Sequence, residues 1–160
     1  LHYAVSGENM DIVYMLLFYP NIDVNKKTSV GNAPLHDAVM LGKTSIVRHF
    51  LERPNINIDV NIRMYDGSTP LHLAVLYRHK EIATMLLGRS DVEGDLVDVH
   101  SRTPFEFAII MYQEIIPDFI GYGKDFGDIF RFGNREVRDR ILSLKEEREL
   151  IKLMSSVNMR

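Results

Sequence analysis

The sequence predicts an all-α solenoid: about four stacked helix–turn–helix repeats with short β-hairpin loops between them, followed by a C-terminal helix. Three observations carry this. A short segment recurs as Ala33-Pro34-Leu35-His36-Asp37-Ala38, Thr69-Pro70-Leu71-His72-Leu73-Ala74 and Thr103-Pro104-Phe105-Glu106-Phe107-Ala108, with a shortened copy at Leu1-His2-Tyr3-Ala4. The steps from Leu1 to Leu35, to Leu71 and to Phe105 are 34, 36 and 34 residues. A second apolar motif follows each of the first three copies at constant distance: Ile12-Val13 with Leu16-Leu17, Ile46-Val47 with Phe50-Leu51, and Ile82-Ala83 with Leu86-Leu87.

Each element has a physical reason. Thr69 and Thr103 are suited to cap a helix N-terminus with their hydroxyls. Pro34, Pro70 and Pro104 fall at the first helical position, where the missing N–H is no loss. Ala4, Ala38, Ala74 and Ala108 let the helices of adjacent repeats approach closely. The second motif places apolar residues at i, i+1, i+4 and i+5, a helical stripe that one helix pair cannot bury alone, so neighbouring pairs must stack. Asp23-Val24-Asn25 and Asp59-Val60-Asn61, with a looser Asp91-Val92-Glu93, supply turn chemistry between repeats, as do Gly31 and Gly67.

These residues resemble the ankyrin repeat, with its T-P-L-H-x-A segment, its I-V-x-x-L-L helix and its D-V-N turn. The resemblance covers about residues 1–116, with repeats at about 1–26, 27–62, 63–96 and 97–118. It implies that His2, His36 and His72 hydrogen-bond between repeats. It also implies a protein-binding role, exercised through hairpin tips and the exposed side of the first helices, which together form a concave face.

The pattern has departures. Ala33 replaces the capping Thr, so that helix start is expected to be weaker. Glu106 replaces the motif His, and Ser101 stands where Gly31 and Gly67 stand. Pro117 falls at the position of Val13 and Val47, and a proline there ends or restarts a helix, so the last repeat is expected to be degenerate and to lose its second-helix stripe. Residues 52–58 carry two extra residues and predict a longer surface loop.

Beyond the repeats, residues 119–133 hold five aromatics and four glycines. They are expected to cover the open face of the last repeat, as solenoid ends require. Residues 134–158 read as an amphipathic helix: Asn134 is its N-cap and Val137, Ile141, Leu144 and Ile151 form its stripe. It either packs on the end of the array or pairs with a second copy in a weak dimer. The chain opens at Leu1 in mid-pattern and is read as an excerpt of a longer one.

Composition narrows the function classes. The 160 residues carry a net charge of −3 and no cysteine. Nucleic acid is not the expected partner, because that requires a concentrated basic face. Without Cys there are no thiolate metal sites, and the histidines lack ligand spacing, so no metal or other cofactor is expected. No apolar run reaches membrane-spanning length. An intracellular, cytoplasmic setting fits the absence of Cys and of Asn-x-Ser/Thr sequences. Gly42-Lys43-Thr44 lacks the upstream glycine of a phosphate-binding loop, and no catalytic residue set is discernible, so an enzyme is not expected.

The resemblance assigns the partner-facing positions by register. In the hairpins they are Ser29, Val30 and Asn32; Tyr65, Asp66 and Ser68; and Val99, His100 and Arg102. On the first helices they are Met40 and Leu41, Leu76 and Tyr77, and Ile110 and Met111. Six apolar residues at successive exposed positions form a stripe with the composition of an interface core, rimmed by Lys26, Lys27, Arg63 and Arg102. Alternatively Met40, Leu76 and Ile110 pack between repeats and only their neighbours are exposed. The expected function is non-enzymatic binding of another protein. The alternative is a regulatory or structural segment of a larger protein, such as a membrane channel or multidomain effector, stacked on further repeats upstream.

Overall fold

In a computed structural model of the chain, residues 1–19, 21–53 and 56–121, with positions 139, 142 and 143, are described. The aromatic and glycine-rich segment after Gly121 and, apart from those three positions, the helix expected over 134–158, with any dimer through it, therefore lie outside the described residues.

The helices run in pairs: α1 (His2–Ser6) with α2 (Met10–Leu17), α3 (Pro34–Met40) with α4 (Thr44–Glu52), α5 (Pro70–Leu76) with α6 (Lys80–Leu87), and α7 (Pro104–Met111) with α8 (Ile116–Gly121). The first helices pack in a row, α1 on α3, α3 on α5 and α5 on α7, while α4 packs on α6 and α6 on α8. This is a stack of near-identical modules. Ala38, Ala74 and Ala108 are wholly buried at the first-helix contacts, as are Val13, Val47 and Ala83 on the second helices.

The helix starts follow the sequence logic. The Thr69 and Thr103 hydroxyls accept the N–H groups of His72 and Glu106. The third residue reaches back: His36 and His72 accept the Ala33 and Thr69 N–H groups on Nδ1, and Glu106 accepts the Thr103 N–H at 2.7 Å. Ala33 has no side-chain oxygen, so α3 keeps only half of this reciprocal cap. Glu106 thus replaces histidine in capping its own helix.

The β-hairpin loops are tight turns without an extended ladder, and no strand occurs among the described residues. Each is closed by a cross-turn bond, Thr28 N–H to Asn32 C=O, Met64 N–H to Ser68 C=O and Asp98 N–H to Arg102 C=O. The left-handed position in these turns is held by Gly31, Gly67 and Ser101. At Gly31 the demand is also steric, because a Cβ there would lie 2.9 Å from the Tyr65 ring of the next turn. A second left-handed position lies in the turn between paired helices, at Glu8, Gly42 and Arg78.

The fourth repeat loses that second turn. Tyr112 has φ −148, and a 3₁₀ turn at Gln113–Ile115 joins α7 to α8 instead. The expected loss of the second-helix stripe is only partial: proline restarts the helix at Ile116–Gly121, and Ile115, Ile116 and Phe119 are buried. Proline is tolerated there because it stands in the first turn, where the N–H it lacks would have no helical partner. Phe119 stacks on Phe105 with ring centroids 5.2 Å apart, so this aromatic belongs to the last helix pair.

An asparagine ladder ties repeats together on the other side. Asn25 donates to the Asn57 carbonyl and accepts the Asp59 N–H; Asn61 donates to the Asp91 carbonyl and accepts the Glu93 N–H. This places Glu93 in register with Asp23 and Asp59. The third turn copy is therefore Glu93-Gly94-Asp95, and reading it as Asp91-Val92-Glu93 was out of register by two residues. Gly94 is buried where Val24 and Val60 are buried in earlier copies.

Candidate functional site

The two histidines at repeat junctions are structural. His36 donates from Nε2 to the Ile62 carbonyl at 3.0 Å, and His72 donates to the Arg102 carbonyl at 2.9 Å. With Nδ1 already accepting an N–H, both rings are neutral and carry the proton on Nε2. Burial drives both below the ordinary histidine range, His36 to about 4. Neither nitrogen is left to bind a metal, and no cluster of three or more metal-ligating side chains occurs among the described residues. His2 plays the same bridging part, facing the Asp37 carboxylate and the Lys26 carbonyl.

The hairpin tips and the ends of the first helices form the surface assigned by register. At the tips Val30, Tyr65 and Val99 are 65%, 70% and 63% exposed, and Ser29, Asp66 and His100 are exposed beside them. The tips are contiguous: the Tyr65 ring lies against Gly31, and the Val99 N–H donates to the Asp66 carbonyl at 2.8 Å.

The third hairpin position does not belong to the tip. Ser68 is buried, because its carbonyl closes the turn and its N–H is held by Asp66 Oδ1. Asn32 and Arg102, in the same place, are half-buried. The Asn32 amide donates to Asp37, and the Arg102 guanidinium bonds Asp98 and lies 4.3 Å from the Phe107 ring centroid. Burial pushes the Asp98 carboxyl up, but the Arg102 guanidinium and the N–H groups of His100 and Arg102 outweigh it and hold it below its ordinary value. Arg102 is thus a turn-stapling residue more than a rim charge.

On the first helices the stripe divides. Leu41, Leu76, Tyr77 and Met111 are exposed, whereas Met40 and Ile110 are half-buried and pack on the core. The packing alternative holds for those two and not for Leu76. Beside these exposed residues, neighbouring repeats touch. His79 reaches the Met40 carbonyl and lies against Gly42, Tyr77 stacks on His79, and Arg78 lies over the Tyr112 ring beside Met111.

A separate cleft of about 670 Å³ opens between Phe18, Tyr19 and Asp23 on one side and Arg53, Ile56 and Asn57 on the other. Among the described residues its one acid, Asp23, holds the Asn25 N–H in a local turn, and no nucleophile–base pair lines it. No helix among the described residues is long and apolar enough to cross a membrane.

Sequence reasoning missed the asparagine ladder and the inward turn of the third hairpin position. The first had a legible signal, the recurrence of Asn25 and Asn61 at one register position. The second had none, since Asn, Ser and Arg are all ordinary tip residues.

A family model described as ankyrin repeats (three copies) matches residues 1–98. Over 53 residues, 33% of this chain, the sequence is 40% identical to SMC5-SMC6 complex localization factor protein 1 of Bos taurus. It is 38% identical over the same length to the protein of that name of Homo sapiens. The match spans only 5% of the length of either relative. With most of the chain covered by the repeat model, and helix pairs stacked in the register that the motif residues set, the chain belongs to the ankyrin-repeat family, whose repeats mediate protein–protein interaction.

Proposed function

We propose that this chain is a non-enzymatic, intracellular protein-binding module whose contact surface is made by the hairpin tips and the ends of the first helices. The observation that carries the reading is the recurrence of exposed apolar residues at the same places in successive repeats, Val30, Tyr65 and Val99 at the tips and Leu41, Leu76, Tyr77 and Met111 at the helix ends. A folded protein seldom leaves so many large apolar groups together in water unless they are covered in use. The row stands on rigid elements, so little ordering entropy opposes binding. A photoreactive amino acid at position 77 tests it: cross-links to a discrete partner protein are expected there and not from position 52, on the far side of α4. Equal cross-linking from both positions, or none from position 77, rejects the surface.

A second reading is favoured by one specific comparison. Ile12 is 45% exposed, while its counterparts Ile46, Ile82 and Ile116 are 1%, 0% and 3% exposed beneath the preceding repeat. Tyr3 is 95% exposed where Leu73 and Phe107 are 4% and 7%. On this reading the chain is a segment of a larger protein, with a further repeat seated on α1 and α2, and it serves that protein as a regulatory or structural element. The relatives' name, a complex localization factor, suits a repeat segment acting within a longer chain. Ile12→Asp is then expected to destabilise a version extended upstream and to leave the 160-residue chain unchanged; equal effects in both reject it.

A further inference from the structure

The charges of the described residues are segregated. On the hairpins, the first helices and the turns that end them, Lys26, Lys27, Arg63 and Arg78 are exposed. Most of the acids on that side are held locally. Asp37 bridges His2 and Asn32, Asp98 is bonded by Arg102, Glu8 pairs with Lys43, and the exposed Asp66 accepts the Ser68 N–H, while Glu114, in the turn that ends α7, is exposed. The opposite side is acidic. Asp11, Glu52 and Glu81 project from the second helices, and Asp59, Asp91 and Glu93 from the turns of the asparagine ladder. Of the basic groups there, Arg48 pairs with Glu52 and Glu81, Arg89 with Asp91 and Lys80 with Asp118, while Arg53 lies over the Tyr14 and Phe18 rings. A chain of net charge −3 thus presents an apolar face with a basic border.

That border follows the apolar row. Lys27 and Arg63 occupy the same register position in successive hairpins, and each lies close enough to a buried junction histidine, His36 or His72, to bear on its charge. Arg63 also donates to the Val97 carbonyl of the next hairpin, which holds its guanidinium beside the tips. Arg78 lies over Tyr112 between the exposed Tyr77 and Met111. Resting on the reading of this face as the binding surface, we propose that it takes an acidic polypeptide segment bearing apolar side chains. The apolar groups pack on Leu41, Tyr65 and Tyr77, and the carboxylates lie against Lys27 and Arg63. Aliphatic groups such as Val30, Leu41, Val99 and Met111 suit side-chain packing and offer nothing to a phosphate backbone. The complementary charge would steer encounter and exclude basic partners.

The test is selection of phage-displayed random peptides of about 12 residues on the 160-residue chain, long enough to span two or three repeats in extended form. Recovered peptides are expected to be net acidic with two or more large apolar residues. Binding is expected to fall about tenfold or more in Lys27→Glu/Arg63→Glu, and to weaken as salt rises. Neutral or basic consensus peptides, the absence of enrichment over a heat-unfolded control, or equal binding of a single-stranded oligonucleotide overturns the inference. Peptides lost in Leu41→Glu/Tyr77→Glu but kept in the charge-reversed variant overturn the acidic partner and leave the surface standing; peptides kept in both remove the surface as well. Thermal unfolding of each variant, expected to match the parent, separates lost binding from lost fold.

Discussion

Asn61 clasps the backbone of the next repeat at Glu93: its amide oxygen accepts the Glu93 N–H at 2.9 Å, while its amide nitrogen donates to the Asp91 carbonyl at 2.7 Å. One side chain replaces the ladder that a sheet would provide between neighbours. Asn61→Ala removes both bonds and is expected to lower unfolding free energy by about 1 to 2 kcal/mol, since water can partly re-satisfy the exposed groups. A shift in the urea midpoint at unchanged m-value is the readout. A change of less than about 0.3 kcal/mol would show that the ladder is decorative.

His36 gives the fold an acid limit. Buried and neutral, it has its proton affinity lowered from 6.5 to about 4. Between those values the unfolded chain binds a proton that the folded chain refuses, so stability rises with pH across this window and is complete above it. The full shift corresponds to roughly 3 kcal/mol lost on acidification. His72, lowered in the same direction by burial, adds to the loss. Denaturation midpoints measured across the window should fall toward acid, and the fall should shrink in His36→Gln. A flat profile would contradict the buried neutral assignment.

Ser101 holds a left-handed φ of 58, where Gly31 and Gly67 have 91 and 80. A non-glycine residue there costs about 1 to 2 kcal/mol, offset in part by its lower freedom when unfolded. Ser101→Gly is therefore expected to stabilise by about 0.5 to 1 kcal/mol. Gly31→Ala should do the opposite and cost about 2 to 3 kcal/mol, because the new methyl meets the Tyr65 ring and backbone as well as the unfavourable φ. Thermal midpoints that move together would break this account of the turns.

Ala33 leaves α3 without its hydroxyl cap, while His36 still reaches back to the Ala33 N–H. Ala33→Thr restores the pattern of Thr69 and is expected to stabilise by about 1 kcal/mol. Failure to stabilise in equilibrium unfolding would mean that the buried site has no room for the added atoms.

Much of this was legible in the residues. Pro34, Pro70 and Pro104 marked three helix starts because proline at the first helical position has a local cause that tertiary structure does not override. The third turn of the asparagine ladder was not legible. Asp91-Val92-Glu93 looks like Asp-Val-Asn, whereas its true counterpart Glu93-Gly94-Asp95 keeps none of the three identities, and only the Asn61 bonds reveal the register. At the surface the tips Val30, Tyr65 and Val99 were readable from register. The division between half-buried Met40 and Ile110 and exposed Leu76 was not, because it depends on how closely neighbouring helix ends approach. Pro117 signals the end or restart of a helix, and that the stripe survives in part was not legible, because a proline's position within a first turn depends on where the preceding 3₁₀ turn places it.

The central claim is that the buried face of each repeat makes the fold while the exposed row makes the contact, so that the two are separable. Leu41→Glu/Tyr77→Glu tests this most directly, with thermal unfolding and partner cross-linking from position 65 measured on the same preparation. A midpoint within about 3 °C of the parent with cross-linking abolished is the predicted result. Unfolding of the variant, or undiminished cross-linking, would contradict it.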